Sequence, residues 1–243
     1  EYNQGSMMGT DDIFKKSKAK RTTNKLLKRQ VGNINTLKRV LVVSEGKKTE
    51  PIYFDYLVSK LKLTSADIEV MGSKKSCPLE VVKYAKELFD ISIEKGIKYD
   101  MIFCVMDRDT HFHYGDALSF INTLSKYNFY AINSVPCFEY WLLLHFVYTT
   151  KPFSKTMNKS ICEALISDEL KKYLPNYEKN ISLLEEKQIN YILDENTIKK
   201  AIEHSKKVLE YCNSSNTDNP STRIHEMVEK FLLLKESKKE LLK

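Results

Sequence analysis

Four apolar runs alternate with four stretches of helical character between residues 39 and 147, of which the last, 137–147, is apolar on most sides. Each run is short and flanked by charged or turn residues, which is typical of a buried strand. The amphipathic stretches have apolar residues at helical spacing, and two of them begin at a proline, a residue that the first helical turn tolerates. The pattern predicts strands at 39–45, 67–72, 99–107 and 128–136 and helices at 51–63, 78–96, 115–127 and 137–147.

This alternation predicts an α/β fold with a mostly parallel sheet and helices on both faces. Parallel neighbours require a crossover connection, and a helix usually supplies it. In open sheets of this kind, ligands bind outside the carboxyl ends of the strands. We therefore look for functional residues directly after each predicted strand.

The chain changes character after residue 150. Residues 158–212 have helical spacing and mixed charge, with a break at Leu174-Pro175. Residues 216–243 begin with capping residues around Pro220 and continue as an amphipathic helix. We expect an α/β domain at 40–150 and a helical region at 151–243 that packs on the sheet.

Positive charge is concentrated at the N-terminus. Residues 13–39 hold ten Lys or Arg and no acid, and residues 1–12 hold three acids, so residues 1–39 carry the whole net charge of +7. The first residues, EYNQGSM, resemble a tag remnant, and we expect the rest of 1–39 to be a flexible basic arm. Such an arm neutralises nucleic-acid phosphates or is a solubilising tail that contacts nothing. The basic residues that would contact nucleic acid are Lys15, Lys16, Lys18, Lys20, Arg21, Lys25, Lys28 and Arg29.

Composition also bears on the compartment. The sequence has no run of about eighteen apolar residues and no apolar signal core, so we expect a cytoplasmic protein without a membrane span. The cysteines are odd in number and scattered, without a C-x-x-C spacing, and we expect reduced thiols. They are Cys77, Cys104, Cys137, Cys162 and Cys212.

Acidic residues follow two of the predicted strands. Glu45 comes directly after the first strand, and Asp107 and Asp109 end the third, two residues apart and therefore on one side of an extended chain. If the two strands are neighbours, the three carboxylates converge, and their mutual repulsion is relieved by a hard cation. Oxygen ligands favour Mg²⁺ or Mn²⁺.

Two alternatives apply to this acidic set. In the first, the three acids are unrelated surface groups neutralised by Lys47, Lys48 and Arg108. In the second, the ligands include histidines. His111 and His113 follow the acidic pair, and a D-x-D-x-H-x-H set of ligands suits a transition metal better than Mg²⁺.

Glu139 follows the fourth predicted strand and opens an apolar stretch. A carboxylate so close to apolar residues needs a partner. It either completes the metal shell or holds a lysine of the loop at 46–48. Its neighbours at helical spacing are expected to be core residues, with one hydrogen-bonded histidine among them: Phe138, Trp141, Leu142 and His145.

Other common site motifs are missing from the sequence. No G-x-S-x-G occurs, which argues against Ser-His-Asp chemistry. The segment SEGKKTE lacks the spacing of a P-loop, which argues against an intrinsic ATPase.

At these residues the chain resembles the RloB-like family and, within it, the Toprim-like arrangement. The stretches that carry the resemblance are LVVSEGKKTEPIYFDYL (41–57), FCVMDRD (103–109), INSVPCFEYWLLLHF (132–146) and NPSTRIHEMVEKF (219–231). The resemblance implies a Toprim-like sheet in which a Glu after the first strand and a later D-x-D hold Mg²⁺. These residues are Glu45, Asp107 and Asp109 here. It also implies a cytoplasmic role in anti-phage defence of the abortive-infection kind, beside an RloA-like ATPase partner.

Two functional hypotheses follow. In the first, the chain is a Mg²⁺- or Mn²⁺-dependent nuclease that cleaves DNA, RNA or tRNA. The acidic residues bind metal, Glu45 also transfers a proton, and Lys47 and Lys48 stabilise charge on the phosphate. In the second, the chain is a non-catalytic sensor or a partner subunit of a defence ATPase.

Overall fold

The apolar runs form a single five-stranded sheet in the computed structural model, which describes residues 38–64, 67–73, 77–108 and 114–241. Its strand order is β2-β1-β3-β4-β5. The strands are β1 (Val40–Ser44), β2 (Ile68–Gly72), β3 (Met101–Asp107), β4 (Phe129–Val135) and β5 (Ser221–Thr222).

The first four strands are parallel, as the alternating pattern predicts. The last strand, β5, runs antiparallel to β4, and the Ser134 and Thr222 hydroxyls share a hydrogen bond of 2.9 Å across the pair. Sequence analysis misses β5, because two residues are too few to show a strand period. The predicted α/β class with a mostly parallel sheet is confirmed.

Helices connect the parallel strands close to their predicted positions. Pro78 occupies the first turn of the second helix, and Gly96 takes a positive φ of 70° just beyond its end, where a glycine stops a helix without strain. The helices of this half are α1 (Thr49–Lys60), α2 (Pro78–Glu94), α3 (Tyr114–Thr123) and α4 (Glu139–Leu144).

The second half is helical but interrupted. Ser160 and Glu163 form a capping box, and the Asp194 carboxylate accepts hydrogen bonds from two backbone N–H groups, so both helix starts are defined by the sequence. The helices are α5 (Ile161–Asp168), α6 (Glu186–Ile192), α7 (Glu195–Ser215) and α8 (Ile224–Leu241), and short 3₁₀ turns lie at Leu170–Lys172 and Ile181–Leu183.

Alternate strand residues pack into two apolar cores, one on each face of the sheet. Leu41 and Val43 face α2 and α3, in a core that includes Val81 and Ile121. The other face, with Val42 among its residues, packs against α1, α4 and the helices of the second half. Because the strands are buried on both faces, their sequences are almost continuously apolar.

Helix α4 lies at the centre of the larger core. Trp141 Nε1 donates to the Tyr53 hydroxyl at 2.9 Å, and that hydroxyl lies 3.3 Å from His145 Nε2. The other ring nitrogen of His145 lies 2.9 Å from the carbonyl oxygen of Trp141. Burial lowers the pKa of His145 to about 4, so the ring is neutral. This is the hydrogen-bonded core histidine that the sequence predicts.

One expectation about the cysteines is wrong. Cys137 and Cys162 form a disulfide, with their Cα atoms 6.0 Å apart. Spacing along the chain does not show this pair, because Cys137 follows β4 whereas Cys162 lies in α5, and only tertiary packing brings them together. Cys77, Cys104 and Cys212 are free thiols. No helix in the described part of the chain is both long and apolar enough to cross a membrane.

Candidate functional site

The carboxyl ends of β1 and β3 bring Glu45 and Asp107 together. Ser44 pairs with Val105 in the sheet, and the N–H of Glu45 donates to the carbonyl oxygen of Val105 at 3.2 Å. The Asp107 N–H in turn donates to Oε2 of Glu45 at 3.3 Å. The predicted convergence of these two acids therefore follows from the strand order.

A third acid, Glu50, also lies at this edge of the sheet. It is in the first turn of α1, only 7% exposed, and its Oε1 accepts a hydrogen bond of 3.3 Å from the N–H of Gly46. A Cβ on Gly46 would collide with the Glu50 carboxylate. At the end of β2, a Cβ on Gly72 would lie 2.8 Å from the carbonyl oxygen of Gly46. Gly46 therefore makes room for the Glu50 carboxylate, and Gly72 permits the close approach of the loop to the sheet.

Glu139, the first residue of α4, is the fourth acid and is 4% exposed. Its Oε1 accepts a hydrogen bond of 3.0 Å from the hydroxyl of Tyr177. On its other side, Oε2 lies 3.3 Å from Sγ of Cys162. The partners of Glu139 thus come from the helical half of the chain.

The segment that follows the predicted break at Leu174-Pro175 reaches the site. It supplies Tyr177 and, two residues later, Lys179, whose carbonyl oxygen accepts a hydrogen bond of 2.5 Å from the Thr49 hydroxyl. This contact joins the segment to the first residue of α1. The helical region therefore completes the site as well as covering the sheet.

The four acids line an open cavity of about 530 Å³ at the edge of the sheet. Four carboxylates and three lysines share it, so negative and positive groups lie side by side. The lining residues are Glu45, Gly46, Lys47, Lys48, Thr49, Glu50, Ser73, Asp107, Phe138, Glu139, Cys162 and Lys179.

Crowding of the acids shifts their titration. Burial, followed by the charges of Glu139 and Glu45, raises the pKa of Glu50 to about 7. Burial raises the pKa of Asp107 well above its usual range, and the charges of Glu50, Glu139 and Glu45 raise it further. Burial also raises the pKa of Glu139, although the Lys179 charge opposes this. The site therefore disfavours full ionisation and would gain from a cation.

A protein-family model described as RloB-like protein matches residues 40–231. The chain belongs to the RloB-like family. The match covers the sheet, the four acids of the cavity and the segment that supplies Tyr177 and Lys179. Searches of curated proteins and of solved structures found no significant match.

Several predicted site residues of this RloB-like chain lie outside the described residues. They are Asp109, His111 and His113 after β3, and the eight basic residues between Lys15 and Arg29. Lys47 and Lys48 are exposed and line the cavity with Glu45. The positive charge that acts on Glu139 is that of Lys179, which lies outside the 46–48 loop that the sequence suggests.

Three residues of the site are absent from the sequence prediction. Glu50 has a local signal, because it is an acid in the first turn of the helix that follows the glycine of the 45–50 loop. Tyr177 and Lys179 have no such signal, since they lie more than a hundred residues along the chain from Glu45. Only the folded chain brings this segment to the strand ends.

Proposed function

We propose that the chain is a Mg²⁺- or Mn²⁺-dependent nuclease that cleaves phosphodiester bonds at this cavity. The observation that supports the proposal best is the convergence of four carboxylates, with raised pKa values for three of them, beside three lysines. Clustered acids with shifted pKa values in a cleft are typical of functional sites. A purely structural cluster would gain more from neutral residues.

The donor set fits a hard divalent cation. The acids offer only oxygen ligands, which Mg²⁺ and Mn²⁺ prefer. Glu45, Asp107 and Glu139 would hold the ion, with Asp109 as a further candidate that lies outside the described residues. When bound, such an ion polarises a phosphate and lowers the pKa of a coordinated water.

The lysines of the cavity would bind the scissile phosphate. Lys47 and Lys48 lie on the loop that begins with Glu45, and Lys179 approaches from the helical region. Their ammonium groups would offset negative charge that develops on the phosphate oxygens. Because three ammonium groups line the same cavity, they suit a ligand that brings its own negative charge.

Glu50 is the acid best suited to proton transfer. In the metal-free protein burial raises its pKa to about 7, so the carboxyl group both accepts and releases a proton near neutral pH. The hydrogen bond from the Gly46 N–H keeps its carboxylate turned towards the loop of Glu45. We therefore assign proton transfer to Glu50, which takes over the role that the sequence suggests for Glu45.

A cleavage assay tests the proposal. The full chain is incubated with labelled single- and double-stranded DNA, RNA and tRNA, with Mg²⁺, Mn²⁺ or a chelator. Cleavage should require the divalent ion and fall at least about a hundredfold in Asp107→Asn. The control is Asp90→Asn, because Asp90 is exposed and pairs with Lys86 on α2. Cleavage that survives Asp107→Asn contradicts the assignment. Stabilisation by metal without cleavage of any substrate supports the sensor hypothesis instead.

The cellular role follows from the family resemblance alone. We propose that the chain acts in the cytoplasm in anti-phage defence, beside an RloA-like ATPase, and that its basic arm contacts the nucleic-acid backbone. Phosphate contacts of this kind position a substrate without reading its sequence. Nucleic-acid binding measured at increasing salt concentration tests the role of the arm. The affinity should fall steeply with salt in the full chain and less steeply after removal of residues 13–29.

A further inference from the structure

The disulfide lies against the acidic cavity, at the end of β4. Cys137 is two residues before Glu139, and Cys162 is the second residue of α5. Both sulfur-bearing side chains are almost fully buried, at 2% and 4% exposure. Cys162 also lines the cavity, so the disulfide borders the cavity through this residue.

Glu139 presents one carboxylate oxygen to this pair. Oε1 is occupied by the hydrogen bond from Tyr177, which fixes the orientation of the carboxylate. The opposite oxygen, Oε2, lies 3.3 Å from Sγ of Cys162. One ligand atom from each of Cys137, Glu139 and Cys162 can be chosen so that all three lie within 4.8 Å of one another. These three residues are called the Cys-Glu cluster below.

Two thiolates and one carboxylate form a ligand set for a different class of metal. Zn²⁺ binds thiolates at about 2.3 Å in tetrahedral geometry, which places two sulfur ligands about 3.8 Å apart. The Cα atoms are 6.0 Å apart, so the two sulfur atoms can separate to this distance once the S–S bond is broken. Three protein ligands leave a fourth position, which water from the cavity would fill. Mg²⁺ and Mn²⁺ disfavour such sulfur ligands.

We propose that the reduced Cys-Glu cluster is a binding site for a thiophilic divalent metal of the Zn²⁺ type, and that the disulfide is its closed form. A dithiol reductant attacks one sulfur, the S–S bond breaks, and two electrons pass to the protein as the reductant becomes a disulfide. The two cysteine thiols then lose two protons to solvent as they bind the metal. Metal binding is therefore available only after reduction.

The proposal does not depend on phosphodiester cleavage, but the two sites share Glu139. A Zn²⁺ ion in the Cys-Glu cluster would take Oε2 of Glu139 away from a hard cation beside Asp107. Because the cysteines contribute nothing to an oxygen-ligand site, the two kinds of metal binding are separated by variants. Asp107→Asn should impair Mn²⁺ binding and leave the thiolate site intact.

Cobalt titration of the full chain tests the cluster. The protein is reduced with dithiothreitol, freed of it under anaerobic conditions, and titrated with Co²⁺, a spectroscopic substitute for Zn²⁺. We expect a thiolate-to-Co²⁺ charge-transfer band that saturates at one ion per chain and disappears when Zn²⁺ is added. The same titration of the oxidised protein should give no such band. Absence of the band in the reduced protein overturns the proposal.

Variants assign the band to its ligands. Cys137→Ser and Cys162→Ser should each weaken Co²⁺ binding at least tenfold, and Glu139→Gln should weaken it as well. The matched control is Cys212→Ser, because Cys212 is also a buried free thiol but donates to the carbonyl oxygen of Pro220 in a different part of the chain. Equal loss in the Cys212 variant would contradict the assignment.

A measurement on the wild-type chain covers the case in which a cysteine variant fails to fold. The alkylation rate of Cys162, which lines the cavity, is followed by peptide mass spectrometry in the reduced protein. Zn²⁺ should slow this rate at least tenfold and leave Cys77 unchanged. Equal rates at Cys162 with and without Zn²⁺ would overturn the proposal.

Discussion

The N–H of Asp107 donates a hydrogen bond of 3.3 Å to the Oε2 atom of Glu45. This contact joins the ends of β1 and β3 through a side chain of the site itself. It places one acid of the cavity against the backbone of another, so the two carboxylates are held near each other before any ligand arrives. The proposed metal site is therefore largely preorganised by the sheet.

Divalent metal should stabilise the protein through Asp107. At an Mn²⁺ concentration a hundred times the dissociation constant, the free energy of unfolding should rise by about 2.7 kcal/mol. For a chain of this size the melting temperature should then increase by roughly 5–10 °C. Thermal melts with and without Mn²⁺ measure the shift. Asp107→Asn should lose most of it, whereas Asp90→Asn should keep it, and equal shifts in both variants would rule out this site.

The raised pKa of Glu50 predicts that the metal-free protein loses stability as pH rises. The folded state holds a proton on Glu50 up to about pH 7, whereas the unfolded chain releases it near the ordinary glutamate pKa of 4.5. The destabilisation is absent below pH 4.5, grows between 4.5 and 7, and is complete above 7. The raised pKa values of Asp107 and Glu139 also lower the stability of the folded state as pH rises.

The Glu50→Gln variant tests this pH dependence. The amide has the shape of the protonated acid, so the variant should be more stable than the wild type at pH 8 by up to about 3 kcal/mol. At pH 4.5 the two should differ little. Urea unfolding at both pH values, in a chelator, measures the difference. An equal effect of the substitution at pH 4.5 and pH 8 would contradict the proposed titration.

The close approach of the 46–48 loop to β2 predicts that a larger residue at Gly72 destabilises the protein. A Cβ there would lie 2.8 Å from the carbonyl oxygen of Gly46 and 3.2 Å from Cα of Lys47, both backbone atoms. Gly72→Ala should therefore displace the loop and cost about 1–3 kcal/mol of stability, with loss of cleavage. Gly115→Ala is the control, because a Cβ at Gly115 meets nothing within 4 Å. Equal stabilities of the two variants by urea unfolding would argue against a tight loop.

Lys179 should contribute to the cleavage of substrate and not to the binding of metal. Lys179→Met removes a positive charge near Glu139 and one ammonium group from the cavity, so kcat/KM for cleavage should fall at least about tenfold. The Mn²⁺-dependent thermal shift should persist, because the carboxylates remain. Lys155→Met, an exposed lysine outside the cavity lining, serves as the control. Unchanged kcat/KM in the Lys179 variant would remove it from the proposed mechanism.

The sequence predicts the sheet well because its evidence is local. The strands β1 and β3 are runs of apolar residues that end in a polar one, and helix α2 has its own periodicity and a glycine stop. The neighbouring positions of Glu45 and Asp107 follow from strand ends, and the sheet order β2-β1-β3 places them together. The four strands and their parallel arrangement can therefore be predicted from the sequence.

The features that the sequence misses depend on distant parts of the chain. From an irregular segment, Tyr177 donates a hydrogen bond to Glu139 and Lys179 lines the cavity, and the Cys137–Cys162 disulfide joins two elements that share no sequence pattern. Glu50 is missed for another reason. Its position in the first turn of α1 has an ordinary explanation in the helix dipole, and only the fold shows that it is buried.

The central claim is that the carboxylates at the ends of β1 and β3 bind a divalent cation. Anomalous diffraction from a crystal of the full chain soaked in Mn²⁺ at pH 8 tests it most directly, because it shows the position of the ion and its ligands together. We predict an anomalous peak within coordination distance of the Glu45 and Asp107 carboxylates. Mn²⁺ peaks elsewhere in the crystal, with none at these two residues, would contradict the claim.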